Sequence, residues 1–423
     1  MVRIIGQMVY MLLALTGHKR FAREAFLFLK HHVTSSIELP PWIKRQFAYS
    51  EYWWGVDVMG MGVRFLSLLA ALFSATTCAD DYSDYGGLPV NFNREDNDPS
   101  LLTLSGRISH NYFRPFGIQG CPSACDCPIQ WLNAIYCDNR DLGHVPFTLP
   151  RRTRYLYVQG NRIQHLPAAI FSNTTELKWL VLDRNEIGNE AIGNGVFSSL
   201  SQLENLYMNH NNLTEVPTLL PGSLKDLRLA HNRITNLSSE PFRDLVNLTI
   251  LLLQGNQLSA IDGNQMKGLK SIVHLDLSNN HLAEFPENLP VTIQQLYCSR
   301  NALGSLPPGC FAQFERLLYL RLGHNSLDSD RLARDVFNVS SLIELDLGYN
   351  NFTSVPLVHQ NLRYLYIEAN RIDEFNVTSF CRRVSPVDYS QMRILRLDGN
   401  KLTYNQLPSD WIWCLRIIAQ IYI

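Results

Sequence analysis

The residues best equipped for chemistry are nine cysteines, at 78, 121, 125, 127, 137, 298, 310, 381 and 414. Four of them, Cys121, Cys125, Cys127 and Cys137, read C-x3-C-x-C-x9-C. Four thiolates can hold zinc, and in an oxidising compartment the same four form two disulfides. The spacing leaves three pairings open. A search for catalysis returns nothing: H-E-x-x-H, G-x-S-x-G and a phosphate loop are missing from the sequence. His31 and His32 adjoin each other in a basic leader, and "GNEAIGNG" lacks the strand-to-helix setting of a dinucleotide fingerprint. We therefore expect no enzyme and no cofactor. Seven N-x-S/T sequons, at Asn173, Asn212, Asn236, Asn247, Asn338, Asn351 and Asn376, offer glycosylation in a secreted chain. The acidic phrase "DDYSDYGG" offers Tyr82 and Tyr85 for sulfation, against the plainer reading of a solvated tail.

The element that must position these groups is a repeat. From Tyr155 to Leu402 the pattern L-x-x-L-x-L-x-x-N-x-L returns eleven times, on Asn161, Asn185, Asn211, Asn232, Asn256, Asn280, Asn301, Asn325, Asn350, Asn370 and Asn400. Periods of 20 to 30 residues with this spelling mark a leucine-rich-repeat solenoid. In "LTILLLQGNQL" alternation around Leu251 and Leu253 makes a short strand whose leucines face inward. One coil cannot bury that face alone, so coils stack and their strands form a parallel sheet on the concave side. Each asparagine then supplies donors and an acceptor to backbone groups that leave the ladder. The expected fold is an α/β solenoid, a leucine-rich-repeat horseshoe with a parallel concave sheet, disulfide-capped at both ends.

Coil lengths carry a second order. Short coils ending at Asn232 and Asn301 each precede two longer ones, so that Asn211, Asn280 and Asn350 bound units of 69 and 70 residues. The short coils hold an extended convex arc with Pro217 and Pro221, or Pro286 and Pro290, because proline fixes φ and donates no hydrogen bond. Long coils place a phenylalanine such as Phe171 or Phe242 under a looser turn.

The 423 residues carry a formal charge of −1, which removes any bulk argument for nucleic acid. Residues 1–58 read as an upstream extension and 59–79 as a signal peptide, with Arg64 before the apolar run Phe65 to Phe73 and cleavage after Ala79. That run is too short to span a bilayer, and no span is expected in the mature chain. A signal anchor is the rival reading. Residues 80–120 have few aliphatics and should be an acidic disordered tail. A cysteine cap at 121–150 precedes repeats at 151–423. A secretory leader, and a cysteine pair at the far end of the solenoid, favour disulfides over zinc. Cys298 takes an inward leucine position and Cys310 lies in the arc "PPGCF"; whether they pair stays open.

The cysteine spacing, the alternation of coil lengths, "CDCPIQWLNAIYCDNRDL", "HNNLTEVPTLLPGSL", and "LRLDGNKL" followed by Cys414 resemble the class II small leucine-rich proteoglycans. The resemblance spans Cys121 to Ile423. It implies a secreted, N-glycosylated protein of the extracellular matrix, often bearing keratan sulfate, that binds fibrillar collagen and regulates fibril assembly. It implies the pairings Cys121 with Cys127, Cys125 with Cys137 and Cys381 with Cys414, and glycans on Asn173, Asn212, Asn247 and Asn338. The long last interval, from Asn370 to Asn400, would hold Cys381 in the family's "ear".

Function is expected on the outward strand positions. Between the central leucines stand Tyr157, Val181, Tyr207, Arg228, Leu252, Asp276, Tyr297, Arg321, Asp346, Tyr366 and Arg396. Two residues upstream a second row adds Tyr155, Trp179, Asp226, His274, Tyr319, Glu344 and Tyr364. Solvated strand decoration needs no tyrosines, whereas aromatics and arginines are enriched where proteins bind proteins. The ligand-binding candidates are Tyr207, Arg228, Asp276, Tyr297, Arg321, Asp346, Tyr366 and Arg396, with the collagen face on Arg321, Asp346, Tyr366 and Arg396. Eleven strands give a sheet about 50 Å wide, enough to cradle a rod. The alternative is a soluble module that captures a growth factor or a cell-surface receptor.

Overall fold

The computed structural model describes residues 120–423, except 129–130 and 384–388. The segments expected to be an upstream extension, a signal peptide and an acidic tail, up to residue 119, lie outside the described residues, and with them Cys78, Tyr82 and Tyr85.

Leucine alternation produces the strands where the pattern places them. Eleven three-residue strands, β2 (Tyr155–Tyr157) to β12 (Ile394–Arg396), occupy the eleven repeats. Two more extend the sheet beyond the repeat signature, β1 (Ala134–Tyr136) in the cysteine cap and β13 (Gln420–Tyr422) at the far end. All thirteen are parallel neighbours in chain order, in one sheet. The register sets leucine beside leucine, as with Leu251 between Leu227 and Leu275, and these central leucines are fully buried. Phe171 and Phe242 are buried beneath the convex turns, as their spacing requires.

The asparagine ladder carries the chain from one coil to the next. Asn256 accepts from the Ile234 amide at 3.0 Å and donates to the carbonyls of Leu229 and Leu253, both at 2.9 Å. Its side chain thus joins two coils and satisfies three backbone groups that leave the sheet. The same set recurs from Asn161 to Asn400. The residue before every ladder asparagine has positive φ, from 51° at Ala369 to 73° at Gly399. Eight of these eleven are not glycine, so the left-handed turn that aims each asparagine inward is imposed by the ladder. Glycine is required at 255, where a Cβ would meet His231 Nδ1 at 2.5 Å.

Disulfides close both ends: Cys121–Cys127 and Cys125–Cys137 before the first repeat, and Cys381–Cys414 across the last. Cys414 ends a single helical turn, α1 (Trp411–Cys414), which sits against the final coil. Cys298 and Cys310 do not bond to each other. Cys298 points into the core in place of leucine, whereas Cys310 is half-buried on the convex arc. Burial pushes the Cys310 thiol up to about 12, so both thiols stay protonated at neutral pH.

Candidate protein-binding face

The outward row lies on the sheet face opposite the core leucines, in register from strand to strand. Tyr297 on β8 (Gln295–Tyr297) stands beside Arg321 on β9 (Tyr319–Arg321), then Asp346 on β10 (Glu344–Asp346), Tyr366 on β11 (Tyr364–Tyr366) and Arg396 on β12. Alternation alone brings these five together, because each strand turns its central leucine inward and its two flanking side chains outward.

Neighbouring rows engage these side chains. Arg321 donates through Nε to Glu344 at 2.9 Å, and its guanidinium carbon lies 4.5 Å from the Tyr297 ring centroid. Arg396 pairs with Asp398 at 2.7 Å and with Glu368 at 3.4 Å, and lies over Tyr422 on β13. The Asp346 carboxylate accepts from the Gly348 amide at 3.0 Å. A Cβ at residue 323 would come within 2.9 Å of Asp346, and one at 348 within 3.1 Å of Glu368, so two glycines make the floor on which these carboxylates rest. Burial, reinforced by Glu368, raises Asp346 to about 6 despite the Gly348 amide. Glu368 and Asp398 belong to a third outward row that the sequence reading passed over; the signal was the position two beyond Asp346 and its equivalents.

Toward the other end the face is more aromatic and more deeply packed. Tyr155, Tyr157, Val181 and Tyr207 form a second buried apolar cluster with Tyr136, Trp131 and Trp179 around it. Tyr136 and Tyr157 stack at 4.7 Å. The Tyr207 hydroxyl donates to Asp226 at 3.0 Å, and Arg228 closes on the same carboxylate at 2.9 Å while lying 4.4 Å over the Tyr207 ring. Between the two ends, Asp276 accepts from the Ser278 amide and is raised by burial. His274 packs edge-on against Tyr297, and burial holds it down to about 4, so its imidazole is neutral at physiological pH.

Several predicted ligand residues are therefore less open than strand alternation suggests. Tyr207 and Tyr297 are 3% and 4% exposed, and Arg228 is held by Asp226. The half-buried members are Arg228, Asp276, Arg321, Asp346, Tyr366 and Arg396, and the last four are neighbours on the coils from β9 to β12. Of the sequons, Asn173, Asn212, Asn236, Asn247 and Asn376 are exposed, and Asn338 and Asn351 are half-buried.

Residues 151–213 and 222–282 match the leucine rich repeat family, and residues 120–150 match the leucine rich repeat N-terminal domain. Lumican of Homo sapiens is 43% identical over 331 residues, covering 76% of this chain and 97% of lumican. Fibromodulin of Bos taurus is 45% identical over 303 residues, covering 72% of this chain and 80% of fibromodulin. The chain belongs to the class II small leucine-rich proteoglycans. This proteoglycan shares its fold with a chain of the octameric complex of Latrophilin 3, Unc5D and FLRT2, at a TM-score of 0.57 and 24% identity over 71% of this chain and 83% of that one. Family membership makes the proteoglycan a secreted component of the extracellular matrix. Its phrases "CDNRDLGHVPF" and "ANRIDEFNVTSFC" look most like fibromodulin, with lumican next, since "FNVSSLIELDL" and "SPVDYSQM" suit lumican equally. Both proteins stand among its relatives at similar identity. Among the described residues, no helix of the proteoglycan is long and apolar enough to cross a membrane.

Proposed function

We propose that this proteoglycan binds fibrillar collagen on the concave sheet face, on the coils from Tyr297 to Arg396, and limits fibril assembly without catalysing any reaction. The observation that carries the reading is the ribbon of half-buried, fixed charges interleaved with tyrosine: Arg321 paired with Glu344, Asp346 held by the Gly348 amide, Tyr366, and Arg396 paired with Asp398 and Glu368. Paired charges on a packed floor are held in fixed positions before a partner arrives, which lowers the entropy cost of docking. A triple helix offers both charges and apolar strips along one line, and a parallel sheet running across the coils offers the complement to each. Membership of the same family as lumican and fibromodulin supports the choice of partner.

In the same reading, residues 59–79 direct secretion, residues 1–58 are an upstream extension, and residues 80–120 form an acidic tail in which Tyr82 and Tyr85 are sulfated. Co-sedimentation of the purified protein with reconstituted type I fibrils tests the proposal. Saturable binding that weakens on substitution of Arg321 and Tyr366 supports it. Undiminished binding by that folded variant moves the site elsewhere, and no binding at all favours capture of a growth factor or a receptor.

A further inference from the structure

On the convex side, a cavity of about 320 Å³ opens between the coils of β10, β11 and the ear. That is the lower end of the range for small-ligand clefts, about 300 to 1,000 Å³. Its floor is apolar: Phe337 and Phe352 are fully buried, while Leu332, Ala333, Pro356 and Leu357 remain half-buried. Polar groups stand at the mouth, with Asp330, Arg334 and Glu374 all exposed. Half-buried apolar surface beneath a polar rim fits a ligand with one apolar face and a ring of hydroxyls.

The sequon at Asn376 to Thr378 lies in the wall of this cavity. Asn376 caps a short 3-10 turn, Val377–Ser379, and its Oδ1 accepts from the Thr378 amide at 2.9 Å and from the Thr378 hydroxyl at 2.7 Å. The side-chain oxygen is thereby committed, while Nδ2, the atom that receives a glycan, makes no hydrogen bond among the described residues. At two other sequons Nδ2 is engaged: Asn247 donates to the Gly222 carbonyl at 2.9 Å, and Asn236 donates to the Thr235 hydroxyl at 3.3 Å.

We propose that Asn376 carries an N-linked glycan whose first N-acetylglucosamine folds back into this cavity and acts as a covalently tethered filler between the coils and the ear. The acetamido methyl and one face of the sugar ring would cover Leu332, Ala333, Pro356 and Leu357, and the hydroxyls would meet Asp330, Arg334 and Glu374. Tethering removes most of the entropy cost that a free sugar would meet in so shallow a site.

The test separates the sugar from the cap. Asn376→Asp keeps an acceptor oxygen for the Thr378 amide and removes the glycan, whereas Asn236→Asp removes the exposed sequon at 236, which is not part of this cavity's wall. Glycopeptide mass spectrometry should find Asn376 occupied. Asn376→Asp should unfold about 2 to 4 °C below the glycosylated wild type, with Asn236→Asp unchanged. Wild-type protein trimmed to a single N-acetylglucosamine at each site should keep its full unfolding temperature. If Asn376→Asp is not secreted, a variant with Asp at the other six sequons, so that only Asn376 carries a sugar, is stripped under native conditions by an amidase, which leaves Asp, and gives the same comparison. An unoccupied Asn376, an unfolding temperature unmoved by removal of its sugar, or loss of stability on trimming to one sugar overturns the proposal.

Discussion

Arg321 donates through Nε to Glu344, one strand further along the sheet, at 2.9 Å. The sequence places both residues on the outward face but makes Arg321 a freely available cation for a partner. Instead its guanidinium is shared between Glu344 and the ring of Tyr297.

The pairing changes what substitution should cost. From the sequence, Arg321→Ala with Tyr366→Ala looks neutral for folding, as exposed surface changes usually are. The structure removes a half-buried ion pair and a cation-π contact, each worth on the order of 1 kcal/mol or less. We expect a fall in unfolding temperature of a few degrees and no loss of fold, read by differential scanning calorimetry. A collapse of cooperative unfolding would contradict the assignment of these two residues to the surface.

Asp346 should make the concave face sensitive to pH. Its folded value near 6 lies above the unfolded value, so the folded state holds the proton more tightly. Its contribution is fully present below about pH 4 and is lost as pH rises through 6. Asparagine keeps the acceptor for the Gly348 amide and never ionises. Asp346→Asn should thus gain about 1 kcal/mol over wild type at pH 7.4, after discounting for partial exposure, with the gap closing towards pH 4. A gap of constant size across that range would place the effect outside the titration.

Interior ladder positions should be far less tolerant. Asn256→Ala leaves the Ile234 amide and the carbonyls of Leu229 and Leu253 without side-chain partners inside the solenoid. At about 1 to 3 kcal/mol for each buried group left unpaired, the variant should lose several kcal/mol in urea unfolding. A loss below about 1 kcal/mol would mean that water reaches the turn.

The distal disulfide closes 33 residues. Replacing Cys381 and Cys414 by serine should cost about 4 kcal/mol on the chain-entropy account. Hydrogen exchange should show the loss confined at first to the ear and β13, the elements that this bond ties down. Uniform loss of protection along the whole solenoid would contradict that localisation.

Much of the fold is legible in the sequence because a ladder residue with one role, such as Asn256, repeats at a fixed place beside leucines of fixed direction. β1 and β13 are not legible, since Ala134–Tyr136 and Gln420–Tyr422 lack the asparagine turn and are strands only because a neighbouring edge templates them. Which face Tyr207 and Arg321 occupy follows from alternation, but which partners they choose does not. Side chains two residues or one coil away, Asp226 and Glu344, decide it by rotamer and distance. Glu368 and Asp398 are not legible because their row lies just past the strand ends, at Tyr366 and Arg396, where strict alternation stops. The free state of Cys298 and Cys310 depends in the same way on where the convex arc runs.

The tail makes its own prediction. Sulfated Tyr82 and Tyr85 would add negative charge to "DDYSDYGG" and give salt-dependent binding to basic partners. Mass spectrometry of secreted protein under gentle ionisation should show added sulfate on that peptide, and an unmodified peptide would remove the idea.

The central claim is that the face from Tyr297 to Arg396 engages collagen and restrains its assembly. Turbidity of type I collagen during fibril formation measures this directly, with wild-type protein, with the Arg321→Ala and Tyr366→Ala double variant, and with neither. The account predicts slower or lower turbidity with wild type and a return toward the collagen-only curve with the folded double variant. Wild-type protein that leaves the curve unchanged, or a double variant that suppresses turbidity as fully as wild type, would contradict it.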